Sequence, residues 1–149
     1  MINNKLYLIS IFIIFITSTS IFAAESASHN FSAPWVGDNL NNAPCKGKPQ
    51  SYGPFDYMLR NKYLYALRLV EDSHFTSKVE TLVRGKTGID PYRDIDYTLR
   101  AWPNHHRALN SVATYYLRNK TMRYRMLTFP ECYFQRALNY SSDDAITYM

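Results

Sequence analysis

An all-α fold is expected, made of helical hairpins behind an N-terminal leader and an irregular arm. Three observations predict it. Beyond Phe75, apolar residues recur at three- and four-residue spacings between capping and stop residues. Before Phe75, turn residues interrupt any regular period. At the start of the chain, Leu6 to Ala24 carry no charge at all. The size fits a single core: 149 residues, 46% hydrophobic and 19% charged. Five Gly and seven Pro exclude collagen-like and low-complexity chains, and two Cys are too few for a disulfide scaffold or a four-thiolate zinc site. The net charge of +5 is small and spread along the chain, which does not mark a nucleic-acid binder.

Lys5 forms a short positive region, Leu6–Ile16 an apolar core broken only by Ser10, and Ala23-Ala24 a small-residue cleavage site. This pattern predicts a secretory signal peptide over 1–23 and a secreted or periplasmic mature chain. The alternative is a chain anchored in the membrane by an uncleaved leader, since the uncharged run approaches the roughly 20 residues a spanning helix needs. In an oxidising compartment Cys45 and Cys132 are expected to pair. The long loop so closed is worth about 4 kcal/mol on the chain-entropy account.

Residues 24–74 read as an irregular arm. Gly37-Asp38-Asn39, Asn41-Asn42-Ala43-Pro44 and Tyr52-Gly53-Pro54 are turn chemistry, and Tyr57–Val70 is apolar without a clean period. Residues 75–149 read as helical repeats. Thr76 or Ser77 caps a short helix carrying Val79, Leu82 and Val83, ended by Gly85 with Gly88. A second helix spans Tyr92–Trp102, with Asp90 as cap, Pro91 in the first turn, Asp94 near the positive end of the dipole and Pro103 as stop. A third runs from His106 to Arg118 with Leu109, Val112, Ala113 and Tyr116 as its packing stripe, and a fourth from Pro130 to Tyr140.

An offset of 39 residues lays Pro91 on Pro130, Ile95 on Phe134, Leu99 on Leu138 and Leu109 on Tyr148. Within that period, Leu109-x2-Val112-Ala113-x2-Tyr116 followed by Phe134-x2-Ala137 resembles the tetratricopeptide repeat signature. The resemblance covers one whole repeat, about His106 to Asp144, with partial repeats on either side. The period exceeds the family's usual length of about 34 residues, the surplus falling in the basic connection Asn119–Thr128. Pro130 stands where the family usually has Ala, and Ser142 where it has a closing Pro. Ala145–Met149 reads as the opening of a further helix, so a longer array, or docking of the last repeat on another chain, is expected.

The resemblance implies a TPR-like α-solenoid that binds a protein or peptide and carries out no chemistry of its own. First helices line the ligand groove in this family. On the third helix this leaves Arg107, Asn110, Thr114 and Arg118 as the polar residues able to face a ligand.

Other chemistry has little support. His105-His106 point about 100° apart on a helix and do not converge on one metal, so no metal or cofactor is expected and a solvated helix start is the plainer reading. No nucleophile elbow, zincin helix, phosphate loop or haem motif occurs. Asp90, Asp94 and Asp96 read as solvated acids at a helix start. The basic stretch Arg118, Lys120, Arg123 and Arg125, with Tyr124 interleaved, sits in a loop of an exported chain, which argues against nucleic acid. Membrane contact is expected only through an uncleaved leader. The alternatives are a small exported metal-binding protein or enzyme using His74, His105, His106 and a Cys, or a truncated fragment with no function of its own.

Overall fold

The computed structural model describes residues 32–50, 52–118 and 120–149; the expected leader lies outside them. Among the described residues the fold is all-α: α1 Leu64–His74, α2 Ser77–Glu80, α3 Tyr92–Ala101, α4 His106–Arg118 and α5 Pro130–Tyr140, with 3₁₀ turns at Tyr57–Leu59 and Lys120–Arg125. The one β contact among the described residues is an isolated bridge between Asp38 and Pro44.

The caps explain the helix limits. Asp90 accepts the Tyr92 N–H at 3.0 Å, and at the other end of α3 the Trp102 N–H closes onto the Thr98 carbonyl just before Pro103. At the start of α4, His105 Nδ1 accepts the Ala108 N–H at 3.2 Å, so an imidazole does the work usually done by a short polar side chain. Pro130 opens α5 in the one turn that needs no N–H donor.

Two elements differ from the sequence expectation. The helix expected to reach Val83 and stop at Gly85 is a single turn, Ser77–Glu80. Leu82 adopts φ 63°, its N–H bonds the Val79 carbonyl at 3.0 Å, and the Val83 N–H reaches back to Lys78 at 2.9 Å. That is a Schellman closure with Leu in the left-handed position where Gly is usual. The segment Leu64–His74, read within the arm, is a three-turn helix. It buries Ala66, Leu67 and Val70 but also exposes Leu64, Tyr65 and Leu69, and apolar residues on both sides erase the contrast that periodicity detects.

α3 packs on α1 and α4, and α4 packs in turn on α5, with α2 set against α3 and α4. Ile95, Leu99, Ala108 and Val112 are fully buried where these helices meet, joined by Val79 and Ala137. Tyr57, Ala66, Leu67 and Val70 gather round Trp102 in a second cluster at the other end of α3. On α4 the buried residues are Ala108, Leu109, Ser111, Val112 and Tyr115. Ala113 and Tyr116, expected in the packing stripe, are half-buried, and Ser111 and Tyr115 are buried instead.

Residues 33–50 and 52–56 run without helix across α5 and α3. Cys45 is bonded to Cys132, the Leu40 N–H reaches Glu131 at 3.0 Å, and Gln135 donates to the Asp38 carbonyl at 2.8 Å. Trp35 meets the Tyr133 ring edge-on at 5.3 Å. Gly37 sits at φ 73° with the Gln135 side chain where a Cβ would stand, so any other residue meets both backbone strain and a clash. At the C-terminal end, Ala145–Met149 form turns rather than the expected helix opening. The Asp144 carboxylate accepts the Ile146 N–H at 3.2 Å.

Candidate functional site

Arg107, Asn110, Thr114 and Arg118 follow one another at steps of three, four and four along α4 and share its outer face. Asn110 and Arg118 are exposed and Thr114 is half-buried. Leu117, which the sequence reading passed over, lies on the same face and is 67% exposed. Its signal was present: residues 110, 114 and 117 repeat at four and three. The face therefore offers an amide, a hydroxyl, a guanidinium and one bare aliphatic side chain.

Arg107 is committed elsewhere. Its guanidinium pairs with Glu71 of α1 and, at 3.0 Å, with Glu80 of α2, and lies 5.4 Å over the Phe75 ring. Ser111 donates to the Glu80 carbonyl at 3.0 Å. These contacts fix α1 and α2 against the start of α4, so Arg107 holds one edge of the face rather than offering a free charge.

Beneath that edge lies His105, fully buried between Tyr57 and Phe75. Because Nδ1 accepts the Ala108 N–H, Nε2 carries the proton and donates to Glu71 at 3.0 Å. Burial pushes the imidazole below its ordinary value, more than the Glu71 carboxylate restores. Burial alone would raise Glu71, but the hydrogen bond from His105 and the Arg107 guanidinium outweigh it and hold the carboxyl below its usual range. The expectation of a solvated histidine pair is thus corrected. His106 is also drawn in, 2.7 Å from Asp144, whose carboxyl is held low by His106 and Asn104 against the opposing effect of burial.

The acids at the start of α3 are likewise not solvated. Asp94 is buried, receiving the Lys86 N–H at 2.8 Å and facing His74 at 2.9 Å. Asp96 is buried and gathers Tyr133 at 2.7 Å, Arg100 at 3.2 Å and Lys48 at 3.7 Å. His74, His105 and His106 each bind a different carboxylate, and among the described residues no three His, Cys, Asp or Glu side chains gather as a metal would need. Cys45 and Cys132 are joined to each other, so neither is a thiol nucleophile. Of the basic connection, Arg118, Tyr124 and Arg125 are exposed, with Arg125 stacked 5.5 Å over the Tyr124 ring; the side chains of Lys120 and Arg123 lie outside the described residues. That connection is a 3₁₀ segment rather than a plain loop.

The arm is anchored by a residue the sequence reading missed. Arg136 is buried on α5; its Nε donates to the Ala33 carbonyl, Nη1 to Leu99 and Nη2 to Gln50, each at 2.6 Å, with the Trp35 ring 4.8 Å away. Burial pushes its pKa down to about 10, which still leaves the cation charged at neutral pH. No helix among the described residues is long and apolar enough to cross a membrane. No family model, curated protein or solved structure matches the chain.

Proposed function

We propose that the chain is an exported, non-enzymatic binding module of tetratricopeptide type, and that the outer face of α4 takes a protein or peptide. The observation that carries this reading is the joint face of α2 and α4. Arg107, Glu80 and Ser111 lock the two helices side by side, leaving Asn110, Leu117 and Arg118 exposed and Thr114 half-buried between them. An amide and a hydroxyl suit the polar backbone of an extended peptide, the guanidinium suits a carboxylate, and Leu117 suits an apolar side chain. The succession of α2, α3, α4 and α5, each against the next, supports the solenoid reading. Export to a secreted or periplasmic location is supported by the apolar leader and by the Cys45–Cys132 bond, which oxidising compartments favour.

A photo-crosslinking residue in place of Thr114, expressed in an exporting host, is expected to give one discrete protein adduct. The same residue in place of Ser142, exposed near the C-terminus, is expected to give none. Equal labelling from both positions, or none from Thr114, would overturn the reading.

A further inference from the structure

We propose that the outer side of α1, together with the turn that leads into it, docks on an anionic lipid surface. α1 packs on α3 through Ala66, Leu67 and Val70. Its other side is apolar without being covered: Tyr65 is 80% exposed, and Met58, Leu64 and Leu69 each keep 43 to 47% of their surface in water. Solvent-facing helix surfaces of soluble domains are normally polar, and this one is the reason that α1 escaped the periodicity reading.

Charge surrounds the apolar residues. Arg60, Lys62 and Arg68 are all exposed, and no acid lies between Tyr57 and Val70. Arg60 stacks 5.1 Å over the Tyr57 ring and Lys62 5.2 Å over Tyr63, which holds both cations beside the apolar surface. Glu71 turns inward to His105 and Arg107, and Asp72 is the acid that remains exposed at the far end of the helix. A cationic rim around Leu, Met and Tyr is the composition of a helix lying in a membrane interface: aliphatic side chains enter the acyl boundary, a tyrosine rests at headgroup level, and Lys and Arg meet lipid phosphates while their stems stay apolar. An acidic protein partner fits less well, because the surface is the outer side of one helix and offers no walls to clasp a segment. Free phosphate would leave the apolar residues unused.

The test uses the protein recovered from an exporting host, with its N-terminus defined by mass spectrometry and its disulfide intact. It is sedimented with vesicles of phosphatidylglycerol and phosphatidylcholine in equal parts, and with phosphatidylcholine alone. Binding to the anionic vesicles is expected to be tighter by about tenfold or more, and to weaken with salt. Only protein whose N-terminus falls beyond the leader is used, because Lys5 would itself favour anionic vesicles. Lys62→Glu with Arg68→Glu is expected to abolish the preference, and Tyr65→Ser with Leu69→Ser to weaken anionic binding by a similar factor. All four positions are exposed, so the helical circular dichroism of both variants should match the parent. Equal binding to both vesicles overturns the proposal, as does parent-like binding by either variant. A photo-crosslinker in place of Tyr65 that labels a protein rather than lipid overturns it in favour of a protein partner.

Discussion

The arm, described over residues 33–50 and 52–56, and the helices α3, α4 and α5 are both ordered, but by different means. In the helices, most backbone groups find partners within a few residues, and packing adds to an arrangement that caps and propensity already favour. In the arm, local order is limited to Gly37–Cys45, where the Cys45 N–H meets the Gly37 carbonyl at 2.8 Å and Asn39 accepts the Asn41 and Ala43 N–H groups. Its remaining anchors are distant in sequence: the disulfide, the Arg136 fork, Gln50 on the Arg100 carbonyl at 2.6 Å, and Phe55 on Ala101 at 2.9 Å. A region held this way should be lost as a unit when a few contacts go, whereas the helices should outlast it.

Removing the disulfide is the strongest challenge to that contrast. With Cys45→Ser and Cys132→Ser together, urea unfolding should show a loss of about 4 kcal/mol, and trypsin should cut after Lys46 while the helical signal persists. Simultaneous loss of the helices would erase the distinction between the regions. Arg136→Met should follow at about 3 kcal/mol, because the Ala33 and Leu99 carbonyls are then buried without a donor. Arg136→Lys should recover less than half of that, since an ammonium cannot span the fork.

Acid should act on the helical side instead. His105 is held below its ordinary imidazole value, so the unfolded chain binds a proton first as pH falls. Stability present above about pH 6.5 should decline below it, and then decline further as Glu71 and Asp144, both held low in the fold, become protonated. Urea midpoints across pH measure this, and His105→Asn, which keeps a cap acceptor but does not titrate, should flatten the first step. Arg107→Ala should have the smallest effect, at most about 1 kcal/mol by the same unfolding measurement, because its ion pairs are half open to solvent.

The helices α3, α4 and α5 were legible because Asp90, Pro91, Pro103 and Pro130 mark their ends in the sequence and Ile95, Leu99, Leu109 and Val112 mark their inner sides. The face with Asn110, Thr114 and Arg118 followed from the same spacing. The pairing of Cys45 with Cys132 was legible from the two cysteines and the export that the sequence leads one to expect. What stayed hidden depends on contacts across the chain. His105 looked like a solvated histidine until Tyr57, Phe75 and Glu71 closed round it, and nothing in the pattern around Arg136 marks it as buried. α2 stops after Glu80 because the backbone turns left-handed at Leu82, a choice that no glycine announced. α1 was obscured by its own apolar outer side.

The arm's contacts also impose an order of events during synthesis. Ala33, Trp35, Asp38, Leu40 and Cys45 are met by Arg136, Tyr133, Gln135, Glu131 and Cys132 respectively, all on α5, which follows the arm by some ninety residues. Cys45 and Cys132 are 87 residues apart. At a synthesis rate of about 5–20 residues per second, Cys45 has been waiting for roughly 4 to 17 seconds when its partner is added. Throughout that interval the arm has no surface to lie on and its thiol has no mate, so oxidation that runs ahead of translation meets a lone cysteine on an undocked strand.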